Sequence, residues 1–240
     1  MRKDHRPFWL KRLLAKLNAF YTEYFIRPQF DILGQDPMII CPRSFEIYGK
    51  SITAGNFLHL VSHPLKPVTL LTWSSKQAQG RIDIGDHCLI APGTQITAAE
   101  RITIGDNSMI ASECILSDCD WHGVYNRIRP FRCTEAITLE KNVWLGTRVI
   151  VCKGVTIGEN SVVGAGSVVA SSIPSNVVAA GNPAKIIRHL NPKRRMLKRE
   201  FLFQNGGEYW RKQSELDHFV CAENRSVKWL RTLLQPKLKD

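Results

Sequence analysis

Residues 116–135 gather two aspartates, one histidine, three arginines, a tryptophan, a tyrosine and a phenylalanine within twenty positions. Loops that merely connect elements rarely collect such side chains, whereas loops on a rigid scaffold commonly carry function. His122 is the side chain of this set whose ordinary pKa lies near neutrality, the residue type that takes up and returns a proton. Asp118 and Asp120 stand beside it in Ser117-Asp118-Cys119-Asp120-Trp121-His122, and either could hold the imidazole in one tautomer. A second stretch, 59–79, carries His59, His63, Trp73 and two prolines.

The element that must position these loops is legible in residues 139–174. Read in sixes they run LEKNVW, LGTRVI, VCKGVT, IGENSV, VGAGSV, VASSIP. An aliphatic residue opens each block, and four of the six second positions are Gly or Ala. A period of six suits neither a helix nor a two-faced strand. It suits a chain that turns a corner every six residues and returns above itself after three corners, a parallel β-helix with coils stacked at roughly 4.8 Å. The opening aliphatics should point into a narrow prism, and each coil should bury its strand edges on the next.

One six-residue phrase recurs along the chain, beginning at Ile52, Ile82, Ile102, Ile137 and Val155, with spacings of 30, 20, 35 and 18 residues. The last spacing is one clean coil of three sixes. The longer ones carry extra residues that must leave the prism as loops, one from His59 to Gln79 and one over 116–135. The expected organisation is therefore an all-β core. A helical extension over 1–32 precedes the β-helix of 33–188, and a basic helical extension over 189–240 follows it.

Composition narrows the partners. The chain has 240 residues, 44% hydrophobic and 22% charged, which is globular and not disordered. Its net charge of +12 suggests a polyanionic partner: nucleic acid, an anionic membrane surface or phosphate-bearing ligands. Seven cysteines without a CxxC pair read as reduced thiols and no structural zinc. In the first thirty residues Leu10, Leu13, Leu14, Leu17, Phe20 and Tyr21 recur at helical spacing among Lys11, Arg12 and Lys16. No apolar run there is long enough to span a bilayer, and charges interrupt any signal-peptide core. That helix should cap the open end of the prism, pack against a neighbouring subunit, or lie on a membrane surface.

Ile137-Thr138-Leu139, Asn142-Val143-Trp144-Leu145-Gly146, Gly154-Val155-Thr156-Ile157-Gly158 and Val178-Ala179-Ala180-Gly181-Asn182-Pro183-Ala184-Lys185 together resemble the hexapeptide-repeat acyltransferases. The likeness covers roughly residues 80–190. It is greatest to the maltose, galactoside and capsular-polysaccharide O-acetyltransferase branch. It implies a left-handed β-helix, an exception to the usual right-handed crossover, and a homotrimer with acetyl-CoA between two prisms. The reduced thiols point to the cytoplasm, and the N-terminal helix to a peripheral place at the inner face of the membrane if it lies there. The reaction implied is acetyl transfer to a hydroxyl of a sugar or glycoconjugate, with no metal and no nucleic acid.

By this resemblance His122 matches the family's catalytic histidine by location, with Asp120 as its orienting partner; relatives often carry an earlier His where this chain has Cys119. Trp144 is similar to the tryptophan beside the pantetheine arm. Gly146 and Ala165 stand where family backbones meet the pantetheine amides. Lys185 and Arg188 resemble the cations that meet the CoA phosphates. Asp118, Tyr125, Asn126, Arg127 and Arg129 are left for the acceptor. Two other readings share the prism: a γ-class carbonic-anhydrase-like metal lyase, which needs converging histidines, and a non-catalytic scaffold whose basic ends bind membrane or nucleic acid. A longer acyl-CoA or an acyl carrier protein could also be the donor.

Overall fold

A computed structural model of the chain describes residues 4–74, 79–128, 133–204 and 208–235. The chain forms two compact units, residues 21–200 and residues 1–20 with 201–240.

The larger unit is a column with three faces, each a parallel sheet. The first face stacks Ile32–Leu33, Ile52–Ala54, Arg81–Ile84, Arg101–Ile104, Ile137–Leu139 and Thr156–Ile157. The second runs Met38–Ile40, His59–Val61, Leu89–Ile90, Met109–Ile110, Trp144–Leu145 and Val162–Val163 before Val177–Ala180. The third stacks Glu46–Tyr48, Thr69–Thr72, Gln95–Ala98, Ile115–Ser117, Ile150–Val151 and Val168–Val169. Each strand pairs with the equivalent strand one coil away, so nearly all hydrogen-bonding edges are used inside the stack.

The sequence periodicity translates directly into burial. Leu139, Leu145, Val151, Ile157, Val163 and Val169, the openers of the six blocks, are all at most 1% exposed. The recurring starts fall into one register: Ile52 against Ile82, Ile82 against Ile102, and Ile102 against Ile137. Thr138 pairs with Thr156, which sets Val155 above Ile137. Each buried aliphatic therefore stacks on its own copies.

The stretch 59–79, expected as one loop, is two. His59–Val61 and Thr69–Thr72 remain in the column because Leu60, Val68 and Leu70 are fully buried. The extra residues leave instead at two corners, near His63–Lys66 and at Ser74–Gln79, each closed by an isolated bridge.

Both ends are covered. At the start, Thr22–Ile26 and Arg27–Gln29 follow the helix, and Ile26 and Phe30 join the core, with Phe30 stacked on Phe45 at 6.1 Å. The Arg27 guanidinium donates to the carbonyls of Leu33 and Gly34 in the first coil. Residues 22–30 thus cover the start of the column. At the far end, Lys185–His189 runs antiparallel to Val177–Ala180 and closes the second face, with a cis peptide at Asn182-Pro183. Along the corner between the first and second faces, Asn107, Asn142, Asn160 and Asn176 take left-handed backbone conformations, and the side chains of the last three hydrogen-bond in a ladder at 2.8 and 3.1 Å. Residues 198–200 strap this corner: Lys198 pairs with Glu159, Arg199 donates to the His87 carbonyl, and Glu200 bonds Asn107.

Among the described residues of the smaller unit are the helices Phe8–Tyr21, Glu208–Cys221 and Ser226–Leu234. Trp9 donates to Ser226 Oγ, Lys11 pairs with Asp217, and Phe8 meets His218 edge-on. No helix among the described residues is long and apolar enough to cross a membrane.

Candidate active site

The chain leaves the column after Ile115–Ser117, at the corner between the third and first faces, and returns at Ile137–Leu139. Its departure is anchored by Asp118, which is fully buried. The Asp118 carboxylate accepts the backbone N–H groups of Ala99 at 2.7 Å and Glu100 at 2.9 Å, in the corner one coil below. Burial pushes its carboxyl above the usual range, while those backbone donors pull the other way. Asp118 therefore fixes the loop to the scaffold. In this chain its oxygens face the backbone amides of Ala99 and Glu100.

The stem is a short antiparallel ladder. Cys119 bridges Thr134, Asp120 N–H donates to the Cys133 carbonyl at 3.3 Å, and Glu135 N–H donates to the Asp118 carbonyl at 3.0 Å. Beyond it the tip projects outward. Trp121 sits in the left-handed region, at φ 58°, with its N–H directed at Cys119 Sγ. His122 follows and is exposed, with no hydrogen bond to its ring among the described residues.

Asp120 does not hold the imidazole. Its carboxylate forms an ion pair with Lys153, which lies at the same corner one coil above. That hydrogen bond is the main reason the Lys153 ammonium is held above its ordinary pKa. The expected orienting role of Asp120 is thus unmet within the chain, and Lys153 is a member of the site that sequence reasoning missed. The signal was weak: Lys153 falls at an outward position of its block, where any polar residue is tolerated. Tyr125, Asn126 and Arg127 are exposed at the tip, Tyr125 completely so. Arg129 lies outside the described residues.

Of the residues expected to hold the donor, Gly146 and Ala165 meet at another corner. Trp144 faces outward on the second face, 47% exposed, between Met109 and Val162. Gly146 and Ala165 are neighbours on successive coils at the corner between the second and third faces. A Cβ at Gly146 would lie 2.7 Å from Ala165 N and 2.9 Å from the Val163 carbonyl oxygen, so only glycine permits that spacing. Ala165 is exposed and offers a small surface to anything running along the corner. Lys185 and Arg188 lie exposed on the closing strand, and neither has an ion-pair partner among the described residues. His122 thus projects from one corner of the column, and Gly146 and Ala165 line another.

The other histidines do not converge with His122. His59 lies within a strand, its pKa pulled down to about 4 by burial and by the charge of Arg199. His63 Nδ1 accepts the Leu65 N–H in a turn. Among the described residues no three His, Cys, Asp or Glu side chains form a group that could hold a metal ion.

Residues 136–171 match the family described as bacterial transferase hexapeptide (six repeats). The galactoside O-acetyltransferase of Escherichia coli K12 is 47% identical over 94 residues, which are 38% of this chain and 46% of that protein. The galactoside O-acetyltransferase of Lactococcus lactis is 37% identical over 131 residues, 45% of this chain and 63% of that protein. The chain thus spans about half the length of the curated relatives it matches. Among solved structures, AntD, an N-acyltransferase from Bacillus cereus crystallised with dTDP and 3-hydroxybutyryl-CoA, superposes with a TM-score of 0.57. It shares 21% identity over 80% of this chain and 96% of that one, a likeness of fold.

Proposed function

Since this chain is a hexapeptide-repeat protein of the bacterial transferase kind, wound as a left-handed parallel β-helix, we propose that it moves an acetyl group from acetyl-CoA to a hydroxyl of a sugar or glycoconjugate. The observation that carries this reading is the pair of half-sites. His122 projects from one corner, while Gly146 and Ala165 form a small-residue ledge along another, with Trp144 on the face that leads to it. A homotrimer would set the loop of one column against the ledge of its neighbour, so each active site would be shared between two chains.

In that arrangement the pantetheine arm runs along the ledge beside Trp144, and Lys185 and Arg188 meet the CoA phosphates through charge-assisted bonds. The His122 imidazole takes the proton of the acceptor hydroxyl as its oxygen attacks the thioester carbonyl. A new C–O bond forms, and the tetrahedral oxyanion is held by backbone N–H donors. Collapse breaks the C–S bond, and the proton carried by His122 passes to the departing sulfur. Tyr125, Asn126, Arg127 and Arg129 sit on the acceptor side, and no step calls for a metal.

The helix Phe8–Tyr21 exposes Trp9, Leu13, Leu17 and Phe20 and carries Arg12 and Lys16 without a single acid. An apolar stripe flanked by cations suits the anionic inner face of a membrane. We place the enzyme in the cytoplasm with a peripheral contact there.

The test is release of free thiol from acetyl-CoA in the presence of a panel of sugar and amine acceptors. Turnover with a sugar hydroxyl supports the reading. Absence of turnover with every acceptor, together with no thermal stabilisation by acetyl-CoA, would overturn it.

A further inference from the structure

Two excursions leave the column at the corner between the third and first faces, and their side chains meet. Trp73 opens the first. Its N–H donates to the Ala98 carbonyl at 2.9 Å, and its own carbonyl accepts the Gly80 N–H at 2.8 Å. A Cβ on Gly80 would fall 2.2 Å from the Ala98 carbonyl oxygen, so only glycine lets the excursion close back onto Trp73. Trp121 belongs to the second, one residue before His122. A bulky side chain in the left-handed region is uncommon and persists only where its surroundings impose it. The two indoles pack edge to face, with centroids 5.4 Å apart and planes at 66°. Asp118 ties the second loop to Ala99 and Glu100, in the corner that lies between the two loops.

The edge-to-face contact sets the two rings relative to each other. Trp73 nonetheless remains 42% exposed, and Trp121 keeps a smaller part of its surface exposed. Neither contributes to the column's core, and neither is needed by the donor ledge. The result is a rigid aromatic surface held next to the proposed base.

We propose that Trp73 and Trp121 are a stacking platform for one pyranose ring of the acceptor, setting its hydroxyl beside His122. A pyranose presents a face of C–H groups with its hydroxyls around the rim. The negative face of an indole attracts such hydrogens, while the rim hydroxyls stay free to react. An acyclic polyol has the same hydroxyls but no such face. The platform therefore selects ring-closed sugars over open-chain ones. This inference rests on the acyl-transfer reading.

The experiment compares methyl β-D-galactopyranoside and methyl β-D-glucopyranoside with galactitol and glycerol, following thiol release from acetyl-CoA. In Trp73→Ala the KM for the better pyranoside rises at least tenfold, kcat changes less than threefold, and kcat/KM for galactitol and glycerol is unchanged. Trp73→Phe, which keeps an aromatic face, restores most of the loss, and Trp121→Phe behaves likewise. A structural defect alone would lower turnover with ring and open-chain acceptors equally. An unchanged pyranoside KM in an active, folded Trp73→Ala overturns the platform and leaves acyl transfer standing. A wild-type protein that acetylates no hydroxyl acceptor overturns both.

Discussion

The carboxylate of Asp120 is paired with the ammonium of Lys153 and not with the imidazole of His122, two residues along the chain. The pair spans two coils at one corner and fixes the stem of the loop, leaving the histidine ring for a partner outside its own chain. Both side chains are partly exposed, and such pairs contribute about 0–1 kcal/mol.

Asp120→Asn should therefore lower kcat less than about tenfold, because it loosens the stem without removing the base. His122→Ala should lower kcat by about a hundredfold or more with acetyl-CoA affinity nearly intact. Steady-state kinetics and calorimetry on the two variants check this. Equal losses would mean that Asp120 orients the imidazole after all.

Gly146→Val should destabilise the column. Its Cβ would press on Ala165 N and the Val163 carbonyl, both backbone atoms that cannot rotate away. Overpacking of this kind costs about 1–3 kcal/mol. The urea midpoint of the variant reads it, and a midpoint equal to wild type would show that the corner is looser than its geometry says.

Much of the scaffold was legible in the residues themselves. Ile52, Ile82, Ile102, Ile137 and Val155 announced one register because a prism interior admits only aliphatic residues at a fixed step. The stretch 59–79 was misread as one loop because the phrase marking the first face says nothing about which corner sheds the extra residues. Leu60 and Leu70, both fully buried, were the available clue. The site was legible as a place but not as a set of contacts. Asp118 and Asp120 look alike in sequence, yet one is consumed by the backbone of the coil below and the other by Lys153. Trp73 and Trp121 lie on separate loops, and only the winding of the column brings them together.

Stability should depend on pH through His59. Its pKa is pulled from 6.5 to about 4 in the folded chain, so folding favours the neutral ring. That contribution is complete above about pH 6.5 and is lost as the pH falls toward about 4. Denaturation midpoints should drop more for wild type than for His59→Gln across this window, which separates the histidine from carboxylates titrating nearby. Parallel curves would remove His59 from the account.

The amphipathic helix gives a fourth check. The chain should sediment with vesicles containing phosphatidylglycerol, less so as salt is raised, and weakly with neutral phosphatidylcholine. Leu13→Glu with Leu17→Glu should abolish the binding, since both residues stand exposed on the helix. Wild-type protein that ignores anionic vesicles would leave this face to another partner.

The claim on which the mechanism turns is that His122 acts on a thioester lying along a neighbouring column. His122→Ala removes the base, and Ala165→Phe blocks the ledge at an exposed position; each variant alone should be inactive. When the two are co-expressed and mixed assemblies are confirmed by native mass spectrometry, activity should return to about a quarter of wild type, as expected if one interface in four joins an intact loop to an intact ledge. Mixed assemblies that stay inactive would contradict a site shared between chains.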